Sequence, residues 1–152
     1  MEKMIFSKSI QRLLQALLPH FFPEKDDLGL SDLDQILIEK GSRLIAEFSP
    51  FFRWGYLMGL RFFERAPFLF GFGFKRFTSL SFAKQENYIN RWSRSSFIAI
   101  KEFFKTIRAL ILMISYADPR VWVHFGYAPE EHLREKIALR QKLLLEETRE
   151  VH

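Results

Sequence analysis

Phe77 to Tyr127, FTSLSFAKQENYINRWSRSSFIAIKEFFKTIRALILMISYADPRVWVHFGY, decides the fold. Within it Ile100, Phe103, Phe104, Ile107, Leu110, Ile111 and Ile114 share one arc of a helical projection, and Lys101, Glu102, Lys105 and Arg108 another. That spacing predicts one long amphipathic helix. Its last turns, Leu110 to Ile114, are apolar all round, so this end is expected to be surrounded by protein. Upstream, Ser81 is placed to cap a helix on which Phe82, Gln85, Ile89 and Trp92 recur at helical steps. Between the two, Ser93-Arg94-Ser95-Ser96 breaks or bends the chain, since serine side chains compete for backbone hydrogen bonds. Downstream, Asp118-Pro119 pairs a capping residue with proline at the first helical position. One or two turns carrying Val121, Trp122 and Phe125 follow, and Gly126 suits the left-handed position that ends them.

The residues before this stretch also read as helix. Ser7 or Ser9 opens the first one, with Ile10, Leu13, Leu14 and Leu17 on one face, and Pro19 and Pro23 are expected to bracket its end. Ser31 is expected to open the second, which buries Leu33, Leu37, Leu44 and Phe48 with Gly41 on the same side. Ser49-Pro50 opens a third, running to about Arg65. There Arg53, Arg61, Glu64 and Arg65 are assigned to one arc, while rings and aliphatic side chains cover most of the remainder. Two readings of this helix stand: a core helix closely packed at Gly55 and Gly59, or an interfacial helix pressing its aromatic side onto a bilayer or a partner. The segment APFLFGFGFKRF then sets Phe68, Phe70, Phe72 and Phe74 in a glycine-bearing loop beside Lys75 and Arg76. Those rings either pack across the body or dock onto another protein. Beyond Pro129, Glu130 to Val151 reads as a charged helix with a narrow apolar stripe of Leu133, Ile137 and Leu144.

Composition narrows the possibilities. A chain of 152 residues is long enough to bury a core without staples. Eighteen Phe, three Trp and four Tyr supply either a core of large flat rings or more ring surface than one small core can hide. The second case marks a partner or membrane site. Cysteine is absent, which excludes disulfides and thiolate metal ligands. The net charge of +5 comes without a run of basic residues, so nucleic acid is not an expected partner. No leader peptide, twin-arginine pair or uncharged spanning run is evident. The expected placement is cytoplasmic or peripheral on an inner membrane face.

Catalytic constellations are missing from the sequence. His20, His124, His132 and His152 form no ligand spacing with a carboxylate, and Gly71-Phe72-Gly73 lacks the strand and the Gly-Lys-Ser/Thr of a phosphate loop. Glu130-Glu131 read as first-turn helix residues, and the serines as caps with no nucleophile elbow. No catalytic residue, metal site or cofactor site is expected in this chain.

The ordered set Phe77-x-x-Leu80, Tyr88-x-x-x-Trp92-x-x-Ser95, and Tyr116-x-Asp118-Pro119-x-x-Trp122-x-x-x-Gly126-Tyr127 resembles the gluconate 2-dehydrogenase subunit 3 family. It is also similar to the helical segment ahead of the flavin domain in some bacterial glucose-methanol-choline (GMC) oxidoreductases. The similarity covers Pro67 to Tyr127, and the amino-terminal LLQALLPHFFPE looks like the family's leading helix. The resemblance implies a small non-catalytic subunit that binds a large FAD-containing GMC-type subunit and aids its folding, stability or delivery. The FAD would belong to the partner.

The resulting expectation is an all-α, single-domain bundle of about five to seven helices over 1–128, with a charged carboxy-terminal helix over 129–152. Phe68, Phe70, Phe72, Phe74, Arg76, Trp122, Phe125 and Tyr127 are the candidate partner-binding residues. The rival reading is a peripheral membrane protein using region 51–77, and a third is a helical binder of an apolar ligand in a Phe-lined cavity.

Overall fold

A computed structural model describes residues 5–126 and 133–142, and every regular element among them is helical. The order is α1 (Lys8–Phe21), α2 (Leu33–Ala46), α3 (Pro50–Arg65), α4 (Phe82–Ser93), α5 (Ile98–Tyr116) and α6 (Pro119–His124). Short 3-10 turns lie at Pro23–Lys25, Ala66–Phe70 and Phe77–Ser79. The all-α bundle expected from periodicity is therefore the fold. The chain divides into two compact units, Met1–Ala117 and Asp118–His152.

In the first unit α5 is the hub, packing against α1, α2 and α4. Its buried apolar side chains Phe104, Ile107, Leu110, Ile111 and Ile114 all belong to the expected arc, whereas Ile100 and Phe103 of that arc are half-buried. The end of α5 is not enclosed all round as expected, because Met113 is exposed and borders an apolar cleft. Ile10, Leu13, Leu14, Leu17 and Leu18 of α1 are buried along the facing stripe. Pro19 and Pro23 bracket the end of α1 as expected: the helix runs through Pro19 and stops at Phe21, with Leu18 and Phe22 buried on either side. On α2 the core face turns toward Leu33, Leu37, Ile38, Ser42 and Ile45, while Leu44 is half-buried and Phe48 lies outside. The expected stripe of Leu33, Leu37, Leu44 and Phe48 is correct only in its first half. Ser42 repays its burial by accepting from the Ile5 N–H at 2.8 Å.

Rings make the other half of the core. Phe63 sits among Phe77, Tyr88, Trp92 and Phe104, with ring centroids 4.7 to 6.1 Å away. Tyr88 satisfies its buried hydroxyl by donating to the Phe63 carbonyl at 2.8 Å. Phe82, expected on the inward stripe of α4, is instead exposed and stacks on His20 at 4.1 Å.

Glu64 departs furthest from expectation. Grouped with Arg53, Arg61 and Arg65 on the charged arc of α3, it is buried, with Thr78 donating to its Oε1 at 2.5 Å and Oε2 left without a partner. Burial raises its pKa above the ordinary 4.5; the Thr78 hydrogen bond and the Arg76 and Arg65 charges offset only part of this. A carboxyl whose folded pKa is raised gives its full stabilisation below the unfolded pKa and loses it as pH rises through the folded one. Glu64→Gln is therefore expected to gain stability relative to wild type as pH rises from about 4.5. Thermal melts across that range check this, and a gap independent of pH would contradict it.

In the second unit Asp118 caps α6, its Oδ1 accepting from the Arg120 N–H at 2.9 Å while the Arg120 guanidinium donates to both carboxylate oxygens at 3.0 and 2.7 Å. Gly126 has φ 64°, the left-handed end expected there. Residues 133–142 are helical and exposed, Leu133 and Ile137 included. The remainder of the expected Glu130 to Val151 helix, with Leu144, lies outside the described residues.

Candidate docking surfaces on the first unit

The second cap-proline pair builds the site. Ser49 precedes Pro50 at the start of α3, and the helix buries only Leu60, Phe63 and Glu64. Opposite them Phe51, Trp54, Met58 and Phe62 follow one another at steps of three, four and four. At 100° per residue these four span about 80° of the helix circumference. All four are exposed, Phe51 at 78% and Trp54 at 64%. Arg61 and Arg65 are exposed on the same side. The outward face of α3 is thus a row of rings and a thioether rimmed by arginine, while its inner face, with Leu60 and Phe63 buried and Gly59 close to Phe103, belongs to the core; the close packing expected at Gly55 does not occur.

Beside this row lies an apolar cleft of about 670 Å³ between α2, α3 and α5. Its walls are Leu44 and Ile45 from α2, Phe48 from the connection to α3, Phe51, Phe52, Gly55 and Tyr56 from α3, and Phe103, Thr106, Ala109, Leu110 and Met113 from α5. The two glycines have different tasks. A Cβ on Gly59 would stand 2.3 Å from Cζ of Phe103, so Gly59 lets that ring lie against the α3 backbone. A Cβ on Gly55 would meet nothing within 4 Å, so its missing side chain is part of the open volume. Opposite signs are expected for the two alanine variants in denaturant melts. Gly59→Ala lowers stability by about 1 kcal/mol through overpacking against Phe103, whereas Gly55→Ala raises it by about 0.5–1 kcal/mol through helix propensity. Equal signs would contradict this assignment.

The cleft offers almost no polarity. Thr106 turns its hydroxyl to the Phe103 carbonyl at 2.6 Å. The Tyr56 hydroxyl is buried and, although Thr106 lies beside it, finds no acceptor or donor in good geometry. Burial pushes its pKa above the usual phenol range. Such a surface binds by excluding water from hydrocarbon rather than by reading charge.

The expected contact residues are divided. Phe70 and Phe72 are half-buried, edge-on to Tyr88 at 5.4 and 5.8 Å, and Arg91 holds the loop by donating to the Phe70 carbonyl at 3.0 Å and lying 5.3 Å over the Phe72 ring. Phe68 and Phe74 point outward and stack on each other at 6.0 Å, Phe74 being 98% exposed, and Arg76 is exposed as well. Loop rings thus both pack and face outward. Trp122 is half-buried and Phe125 exposed in the second unit, and Tyr127 lies outside the described residues. Phe48, Phe51, Phe52, Phe103 and Met113 were not among the expected contacts; their signal was the ring excess of α3 around Gly55 and Gly59.

No cluster of His, Cys, Asp or Glu able to hold a metal occurs among the described residues. His20 is engaged with Gln85 at 3.0 Å, and His124 lies edge-on to Phe125. Glu130-Glu131 and His132 lie outside the described residues. Together these observations define a class, an aromatic-rich all-α bundle with an apolar surface cleft. No protein-family model, curated protein or solved structure matches the chain.

Proposed function

We propose that this chain is a non-catalytic accessory subunit whose cleft receives an apolar segment of a larger, FAD-dependent oxidoreductase of the GMC type, stabilising it or helping it mature. The observation that carries this reading is the cleft itself. About 670 Å³ of ring- and aliphatic-walled space, with its few hydroxyls turned away or buried, suits an apolar occupant. The partner's identity comes from the resemblance over Pro67 to Tyr127. Tyr88 and Trp92, which carry much of that resemblance, are buried, and Asp118 caps α6. On this reading the shared residues maintain the body, and the cleft is left to the partner. FAD would be held by that partner.

Affinity purification of the full chain from its native host tests the proposal. A co-purifying polypeptide with an oxidised-flavin spectrum supports it. Recovery of the chain alone would overturn it, and a co-purified small apolar molecule in native mass spectrometry would give the cleft to a ligand instead.

A further inference from the structure

The outward face of α3 is separate from the core and requires its own account. A helix that turns Phe51, Trp54, Met58 and Phe62 to solvent loses about 25 cal/mol for each Å² of hydrocarbon left wet. Past the helix, Phe62 and Phe70 both lie against Trp92, at 6.1 and 6.0 Å, and the loop that holds Phe70 also exposes the stacked pair Phe68 and Phe74.

Charge indicates what covers this face. From 48 to 83 the chain holds five cations, Arg53, Arg61, Arg65, Lys75 and Arg76, against one acid, a net +4 of the molecule's +5. The one acid, Glu64, is buried away from the face. Arg61, Arg65, Lys75 and Arg76 are exposed, while Arg53 turns back to the Ala46 carbonyl. Exposed Trp and Phe interleaved with cations, on a segment whose one carboxylate is buried, suit the headgroup layer of an anionic bilayer, where rings enter the acyl boundary and guanidinium groups meet phosphate. Among the described residues no helix is long and apolar enough to cross a membrane, so the contact would lie in the interfacial plane.

We propose that the α3 face Phe51-Trp54-Met58-Phe62, with Phe68 and Phe74 and their rim of arginine and lysine, seats this protein on an anionic lipid surface. Of these rings only Phe51 also borders the cleft, and the inference does not rest on the flavoprotein partner.

Vesicle flotation of the full chain tests it, comparing phosphatidylcholine vesicles with phosphatidylcholine–phosphatidylserine vesicles. The chain is expected to float with the anionic vesicles only, to be released by salt, and to show a blue shift of Trp54 emission that Trp54→Phe removes. Replacing Arg61 and Arg65 together by glutamine is expected to weaken partitioning about thirtyfold, from about 1 kcal/mol per cation. Both arginines are exposed, so circular dichroism of this variant should match wild type. Gly55→Leu, which fills the cleft, is expected to bind lipid no less tightly than wild type. Failure to float with anionic vesicles, equal binding to both compositions, or full binding by the arginine-depleted variant would each overturn the proposal. In the first case the face would fall to a protein partner.

Discussion

Phe63→Ala is expected to lower the unfolding free energy by about 4 kcal/mol, the upper range for removing a buried ring. Phe63 is fully buried at the meeting point of α3, α4, α5 and the 3-10 turn Phe77–Ser79. Deleting its ring strips edge-on or tilted contacts from Tyr88, Trp92 and Phe77 and a stacked one from Phe104 in a single step. A domain of this size has about 5–15 kcal/mol in all, so the variant approaches the limit of folding. Phe63→Leu, which keeps most of the volume, is expected to cost about 1.5 kcal/mol and remains measurable if the alanine variant does not fold. Denaturant midpoints at unchanged slope give both values. A loss below about 1 kcal/mol for the alanine variant would mean that these rings are loosely packed, contrary to the fold described.

Gly55→Leu is expected to abolish capture of the flavoprotein while leaving the chain folded. A side chain at this position enters open space, since even its Cβ meets no atom within 4 Å. Leucine is also a far better helix former than glycine, by about 0.5–1 kcal/mol, so stability should hold or rise. Its branched end projects into the volume bounded by Phe51, Phe52 and Met113 and displaces whatever segment binds there. Gly55→Ala adds only a methyl and should retain most of the capture. Undiminished recovery by Gly55→Leu would separate the cleft from partner binding, even if a flavoprotein is bound elsewhere.

Much of the fold was legible because its signals are local. The period of α5, the Ser49-Pro50 and Asp118-Pro119 starts and the left-handed Gly126 each depend on residues within a few positions of one another. The faces of α3 were not legible. Rings surround that helix, so periodicity cannot tell which side is buried. The choice is made by long-range contacts: Phe103 against Gly59, Tyr88 donating to the Phe63 carbonyl, and Thr78 donating to Glu64. The burial of Glu64 was not legible either: periodicity groups it with three arginines, and carboxylates are seldom buried. The cleft had no local signature either. Its walls come from segments some sixty residues apart, such as Phe48 and Met113, and only the packing of three helices brings them together. In the Phe-rich loop, the pinning of Phe70 and Phe72 depends on Arg91, which is 21 residues along the chain from Phe70 and lies off the apolar stripe of α4.

The central claim is that this body works by receiving an apolar segment of a flavin-bearing partner in its cleft. The most direct measurement is the visible absorbance of material captured from the native host by the full wild-type chain and, in parallel, by Gly55→Leu. The claim expects oxidised-flavin bands with the wild type and none with the variant. A colourless, monomeric wild-type chain, or equal flavin in both captures, would contradict it.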